Sequence, residues 1–176
     1  AEFLYVGVQT IGVSLFSGIA LDQWQGMTAA QAAMLLSVLS LLFTVGRFVS
    51  VPLLARFDAG KMLGVYMGAA AVLFLVCFLG LGPVSVVALI LAFLFMSIGY
   101  PTVFSLTLRG LNGAAAKTCS SALVMSIVGG ALVPLLAGAL IDMTGSQTFA
   151  MIIAVPSLAF VAWYGFRGSR IGLEAS

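Results

Sequence analysis

The side chains of this sequence that could do chemistry are few, and most of them lie inside long apolar stretches. Gln9 falls within the first stretch, with Tyr5 one helical turn before it and Thr10 beside it. An amide in hydrocarbon needs partners, so Gln9 has to face other helices or water. Tyr5, Gln9 and Phe16 fall along one helical face. An amide for hydroxyls beside an aromatic ring for C–H faces is a mixture suited to holding a sugar. An interhelical hydrogen bond is the competing reading of Gln9.

A second group occupies the fourth stretch, where Ser97, Gly99, Tyr100, Pro101 and Thr102 are followed by Ser105 and Thr107. Pro101 removes one helical hydrogen bond and bends the chain, and Ser and Thr hydroxyls can satisfy the freed carbonyls. A bend at membrane depth makes Gly99-Tyr100-Pro101 a candidate cavity wall, with Ser97 beside it. Tyr100 would offer both a ring face and a hydroxyl; its other reading is a packed core or interface tyrosine.

Arg47 is the one charge placed deep in a stretch, nine residues before Arg56. That spacing is about 13 Å along a helix axis. A charge at the centre of a span costs roughly 2.5–3.5 kcal/mol on insertion scales, so Arg47 must snorkel or be paired. It reads as a structural or gating contact near the cytoplasmic side rather than a substrate ligand. Asp22 and Asp142 read as solvated outer helix ends, and Glu2 as a solvated inner one, rather than as proton carriers.

Bond-making chemistry has no candidates here. Histidine is absent, and Cys77 and Cys119 have no metal-ligand spacing, so both read as small buried hydrophobes. Neither a catalytic constellation, a metal site nor a cofactor is expected.

The elements that must position these residues are apolar runs at approximately 3–21, 30–55, 62–81, 84–108, 118–141 and 147–166. Each is long enough as a helix to cross a hydrocarbon core of about 30 Å, and lipid admits no unpaired backbone. The chain is 62% hydrophobic and 7% charged, with a mean hydropathy of +1.24. A soluble domain carries about 25% charged residues to face water, so one all-α membrane bundle over residues 1–176 is expected. The net charge of +2 is not clustered on one face, which argues against a nucleic-acid partner; the lipid bilayer is the partner such composition implies.

Charge sets the orientation. Arg56 and Lys61 follow the second run, Arg109 and Lys117 bracket the gap after the fourth, and Arg167 and Arg170 follow the sixth. The intervening gaps carry no Lys or Arg. This alternation is the positive-inside pattern of six crossings, with both ends of the segment in the cytoplasm.

Small residues mark where helices should meet. Gly60, Gly64 and Gly68 recur every four positions, with Ala71 three further on, so a smooth face is expected over the cytoplasmic half of the third run. Gly130, Pro134 and Gly138 repeat the spacing in the fifth, with Gly129 adjacent. Helix packing is one reading of that second stripe; a bending point at Gly129-Gly130 and Pro134 in a moving helix is the other.

Four segments in order carry a family resemblance. They are Phe3-Leu4-Tyr5-Val6-Gly7-Val8-Gln9-Thr10, then Gly46-Arg47-Phe48, then Met96 through Ser105, then Ser121 through Gly130. Together they resemble the C-terminal half of fucose-permease-like sugar–proton symporters of the major facilitator superfamily, from that family's seventh helix to its twelfth. The resemblance implies a twelve-helix transporter of two six-helix halves around a central sugar cavity, working by alternating access in a bacterial inner membrane. It implies a monosaccharide and a proton as cargo and a missing N-terminal half that carries the proton-coupling carboxylates. The helices starting at residues 3 and 84 would line the cavity, with Gln9 and Tyr100 as sugar contacts and Arg47 in the cytoplasmic-side contact network.

The chain departs from the pattern in three places. Val13 stands before Ser14 where a tryptophan is expected after Gln9, Gly99 precedes Tyr100 where a bulkier residue is expected, and Asp58 is the only acid near Arg56. The start at Ala1, with Glu2 leading directly into a span, is expected to be a cut within a longer protein. Two rivals remain open: a six-span protein that pairs with itself to make a transporter, and a non-transporting membrane scaffold.

Overall fold

The computed structural model describes residues 1–170; residues 171–176, the end of the expected bundle, lie outside them. The described residues form α-helices and short 3-10 turns. Six helical segments are long and apolar enough to cross a membrane.

The first three spans are single helices: α1 (Glu2–Gln23), α2 (Ala29–Leu54) and α3 (Ala59–Phe78). The fourth, Pro83–Leu108, is divided into α4 (Pro83–Met96) and α5 (Gly99–Leu108). The fifth, Gly113–Thr144, consists of α6 (Gly113–Met125), a 3-10 turn at Ser126–Val128, and α7 (Gly129–Thr144). The sixth opens with a short turn of helix, α8 (Gln147–Ala150), passes through a 3-10 turn at Met151–Ile153 and continues as α9 (Ala154–Phe166). Existence and order of the runs match the sequence reading. The breaks do not show in hydropathy, because a broken helix stays apolar on both sides of the break.

Local chemistry explains where the helices begin. Thr28 and Gln31 form a reciprocal capping box at the start of α2, satisfying two orphan donors. Asp58 caps α3 by accepting from the Lys61 N–H at 2.9 Å. Pro83 opens α4, where its missing N–H costs nothing, and Gly82 before it adopts φ +65°, a left-handed turn open to glycine.

The most thoroughly enclosed element is the fourth span, which packs on α1, α2 and α3; α3 also packs along α9, and α1 along α7. The α3–α9 contact uses the glycine stripe over part of its length. A Cβ on Gly60 would sit 2.6 Å from the Gly165 carbonyl oxygen, and one on Gly64 would sit 2.6 Å from the Phe166 ring. Gly68 has open space where its Cβ would be, and so has Gly138 on α7. Close helix approach is therefore confined to the Gly60 end of α3, as the interrupted spacing suggests. Gly130 approaches Thr10 and Val6 of α1, and Gly129 fits against the Phe3 backbone.

Two contacts fix which connections share a face. Gln23 at the end of α1 accepts the Gly82 N–H at 3.2 Å, joining the α1–α2 and α3–α4 ends. Arg170 reaches Asp58 at 3.5 Å, joining the region after α9 to the α2–α3 connection on the opposite face. The Lys61 N–H, followed by Arg170, holds the Asp58 carboxyl below its usual range.

Candidate functional site: a polar break in the fourth span

Tyr5, Arg47, Ser97 and Tyr100 meet at the junction between α4 and α5, with Gln9 one turn along α1 from Tyr5, and the polar candidates divide into two kinds. Tyr5 and Ser97 are fully buried inside the bundle. The Tyr5 hydroxyl donates to the Met96 carbonyl at 2.6 Å, across the α1–α4 contact. Its ring occupies the volume that a side chain on Gly99 would need. A residue bulkier than Gly99 therefore has no room here while Tyr5 holds this position. The Ser97 hydroxyl and the Thr102 hydroxyl are buried without a hydrogen-bond partner among the described residues.

Gln9 and Tyr100 are half-buried. Gln9 lies one turn beyond Tyr5 on α1, and Tyr100 opens α5 immediately after the break. The Tyr100 ring stacks on Phe104, with centroids 6.2 Å apart and planes inclined by 20°. Val13, one turn past Gln9, is exposed on α1, as is Ser14. Neighbouring Thr10 bonds to its own helix at the Val6 carbonyl, 2.9 Å away, while the amide of Gln9 and the hydroxyl of Tyr100 make no hydrogen bond to the described residues.

Arg47 reaches this junction from α2. Its Nε donates to the Ser97 carbonyl at 3.1 Å, and its guanidinium carbon lies 5.0 Å from the centre of the Phe43 ring. Hydrogen bonding and cation–π attraction both offset the cost of a charge at this depth. Gly46 permits the approach: a Cβ there would sit 2.8 Å from both the Leu94 carbonyl oxygen and the Ser97 Oγ. Adjacent Phe48 points away from the bundle and is 75% exposed.

Several expectations need correction. The carbonyl that Pro101 frees is served by Arg47, not by a Ser or Thr hydroxyl of its own helix. Thr107 does bond back to Val103, at 2.7 Å, one turn further along. Glu2 is not a solvated terminus: it is 3% exposed, and neither carboxylate oxygen has a partner among the described residues. In the fifth span the departure from α-helical geometry is the 3-10 turn at Ser126–Val128, just before Gly129, while Pro134 lies within continuous α7. Gly129, the first residue of α7, packs directly on the Phe3 backbone.

Sequence reasoning missed two polar links that tie the spans together. Tyr164 and Thr107 share a 2.6 Å hydroxyl contact between α9 and α5, and Ser50 donates to Tyr66 at 3.4 Å between α2 and α3. It also missed Gly7 and Gly12, which admit Val133 and the Phe93 ring against α1. The available signal was a tyrosine or glycine inside an apolar run; what each would face depends on the packing of distant spans.

The arrangement is one wall of a bundle: a broken helix held open by side chains from two neighbours, with an amide and an aromatic hydroxyl left unengaged beside it. No family model matches the chain. Crystal structures of the Escherichia coli fucose:proton symporter FucP, a major facilitator superfamily transporter, superpose with a TM-score of 0.90 at 36% identity; one is in the outward conformation. The match covers 94% of this chain and 40% of that one. In sequence, the chain is 39% identical over 170 residues to the L-fucose-proton symporter of Escherichia coli, covering 97% of this chain and 38% of the relative. It is 32% identical over 169 residues to a glucose/galactose transporter of Brucella abortus, covering 96% of this chain and 40% of the relative. The chain is homologous to these major facilitator superfamily transporters, and its six helices form one half of their fold. It is a multi-pass membrane protein, and it spans about 40% of the length of the relatives it matches.

Proposed function

We propose that this chain is the C-terminal half of a proton-coupled monosaccharide transporter working by alternating access, with fucose or a related hexose as cargo. The observation that carries the reading is the contrast at the break. Tyr5 spends its hydroxyl inside the bundle, whereas the half-buried Gln9 amide and Tyr100 hydroxyl have no partner among the described residues. A buried polar group without a partner costs free energy, so both groups should meet a polar ligand or water in the complete cavity. Gln9 would bond sugar hydroxyls, and the Tyr100–Phe104 pair would offer aromatic surface to the C–H face. Tyr5 and Ser97 would shape the wall behind them.

In this reading the exposed faces of α2 and α6–α7 are covered by the other half. The two halves rock about the sugar, as in secondary transporters built from repeats. The proton-coupling carboxylates are assigned to the other half. The basic rim formed by Arg56, Lys61, Arg109, Lys117, Arg167 and Arg170 is assigned to the cytoplasmic face of a bacterial inner membrane, with both ends of the segment inside. The related transporters named for fucose and for glucose/galactose support a sugar of this size.

The test is sugar binding by the full-length transporter. Gln9→Ala and Tyr100→Phe should each weaken the affinity about tenfold, the loss of one well-formed hydrogen bond to a ligand, with expression unchanged. Unaltered affinity in both variants would remove them from the site. Proton-driven sugar accumulation by the six-span chain alone would instead establish a self-paired transporter.

A further inference from the structure

The break in the fourth span has a specific backbone deficit, and its repair comes from other helices. In an α-helix the carbonyl of Ser97 would accept from the N–H of residue 101, four positions on. Residue 101 is proline and has no N–H, so that carbonyl loses its donor at a buried position. Leaving it unpaired would forfeit its hydration with no bond in return. The carbonyl of Met96, one residue earlier, sits on the same interruption, since regular helix stops at Met96 and resumes at Gly99.

Hydroxyls on the same helix do not fill the gap. Ser97 Oγ and Thr102 Oγ1 are the nearest candidates, and both are buried without a partner among the described residues. The donors come instead from α2 and α1: Arg47 Nε to Ser97 at 3.1 Å, and Tyr5 Oη to Met96 at 2.6 Å. Each donor arrives where a glycine admits it. Gly46 brings α2 against Leu94 and Ser97, and Gly99 makes room for the Tyr5 ring. Two donors, two glycines and one proline form a single matched set.

We infer that Arg47 and Tyr5 replace the backbone donors lost at this break, and that Arg47 thereby acts as a positioning residue for Tyr100. α5 begins at Gly99, so the direction in which Tyr100 leaves the break is set by how the carbonyls of Met96 and Ser97 are held. An arginine suits this role better than a serine or threonine would. Its long stem crosses from a neighbouring span, and a charge-assisted bond to a carbonyl is stronger than a neutral one. The cation is kept at that depth by Phe43 and by the bond it makes. The link to Tyr100 as a sugar contact rests on the proposed function above; the repair of the break does not.

The proline itself supplies the test. Pro101→Ala restores an N–H at residue 101, which can bond the Ser97 carbonyl and make the Arg47 donor redundant. In the full-length transporter, Arg47→Met should lower the thermal midpoint through the lost charged-donor bond, and should weaken sugar affinity about tenfold by letting Tyr100 shift out of reach of the sugar, the same loss as Tyr100→Phe. In a Pro101→Ala background the same substitution should cost about twofold or less in affinity, with a correspondingly small shift in midpoint. Equal losses in both backgrounds would overturn the inference. Should Arg47→Met fail to fold in the parent, recovery of folded protein on adding Pro101→Ala supports the repair, and failure in both overturns it. The thermal arm stands alone: if Tyr100→Phe leaves sugar affinity unchanged, the sugar site is wrong while the Arg47–Pro101 coupling is still read.

Discussion

The fourth span and the second and fifth spans are equally apolar in sequence but opposite in surroundings. In its most apolar stretch the fourth span has 67% of its residues buried, against 17% in the second and in the fifth. Their mean hydropathies are nearly the same, 2.2 for the fourth and fifth and 2.0 for the second. Hydropathy therefore says that a helix can live in lipid, not whether lipid is its neighbour. The fourth span carries the break, the glycine at the Tyr5 ring and the carbonyls that need outside donors. The other two expose large apolar side chains such as Met34, Phe48, Met125 and Met143. A helix with little of its surface matched to its own bundle is free to meet lipid or a second bundle.

The largest effect that would test this contrast is steric. Gly99→Leu forces a side chain into the space held by the Tyr5 ring and should abolish recovery of a monodisperse protein on size-exclusion chromatography. Gly138→Leu, on the open side of α7, should leave the elution profile of the six-span chain unchanged. Equal behaviour of the two would dissolve the distinction between the spans.

Next in size is truncation of a ring. Phe93 is 1% exposed and Phe48 is 75% exposed. Phe93→Ala should destabilise the isolated chain by about 3 kcal/mol, chiefly through the cavity it leaves. Phe48→Ala should cost less than about 0.5 kcal/mol, as expected of a substitution away from packed contacts. Detergent unfolding midpoints would show it. A large cost for Phe48→Ala only in the full-length transporter would sharpen the comparison, because it would locate the other half on α2.

A smaller effect is expected at Glu2. Its carboxylate is buried with no partner among the described residues, so Glu2→Gln, which removes the charge and keeps the shape, should hold or raise the thermal midpoint at neutral pH. A marked fall would reveal a charged partner that the wild-type carboxylate needs.

Smallest is the response at the exposed α2–α3 connection. The folded-state carboxyl of Asp58 titrates below its usual range. The stability it contributes is therefore fully present above the ordinary carboxylate range and is lost as pH falls through the lower folded value. The difference in thermal midpoint between wild type and Asp58→Asn should be constant near neutrality and shrink in acid. A gap that widens with acidity would contradict the assignment. The ion pair with Arg170 is nearly half exposed on both sides, so screening keeps the effect small.

How much of this was legible in the letters depends on whether a residue acts on its own helix or across to another. Six spans could be read because each apolar run answers to lipid independently of its neighbours. Pro101 announced a lost hydrogen bond, and Arg47 announced a charge in need of a partner, each from its own position. That one answers the other could not be read, since 50 residues separate Arg47 from Ser97 and no periodicity links them. Tyr5 shows the same limit from the other side. As a tyrosine one turn before Gln9 it looked like part of a binding face, but its hydroxyl reaches Met96, 91 residues away. Gly99 reads in the letters as a departure from an expected bulkier residue, and only packing shows the Tyr5 ring in that space. The sequence singles out polar residues inside the runs; which of them turn inward is decided by packing.

The fit of Tyr5 against Gly99 also ties two distant positions into one mutational unit. Enlarging residue 99 alone meets a ring, and shrinking residue 5 alone opens a void and strips the Met96 carbonyl of its donor. A lineage could cross between this arrangement and one with bulk at position 99 most easily by changing both together. In libraries built to alter cargo preference, positions 5 and 99 should therefore be varied as a pair, and survivors should conserve their summed volume more closely than the identity of either residue.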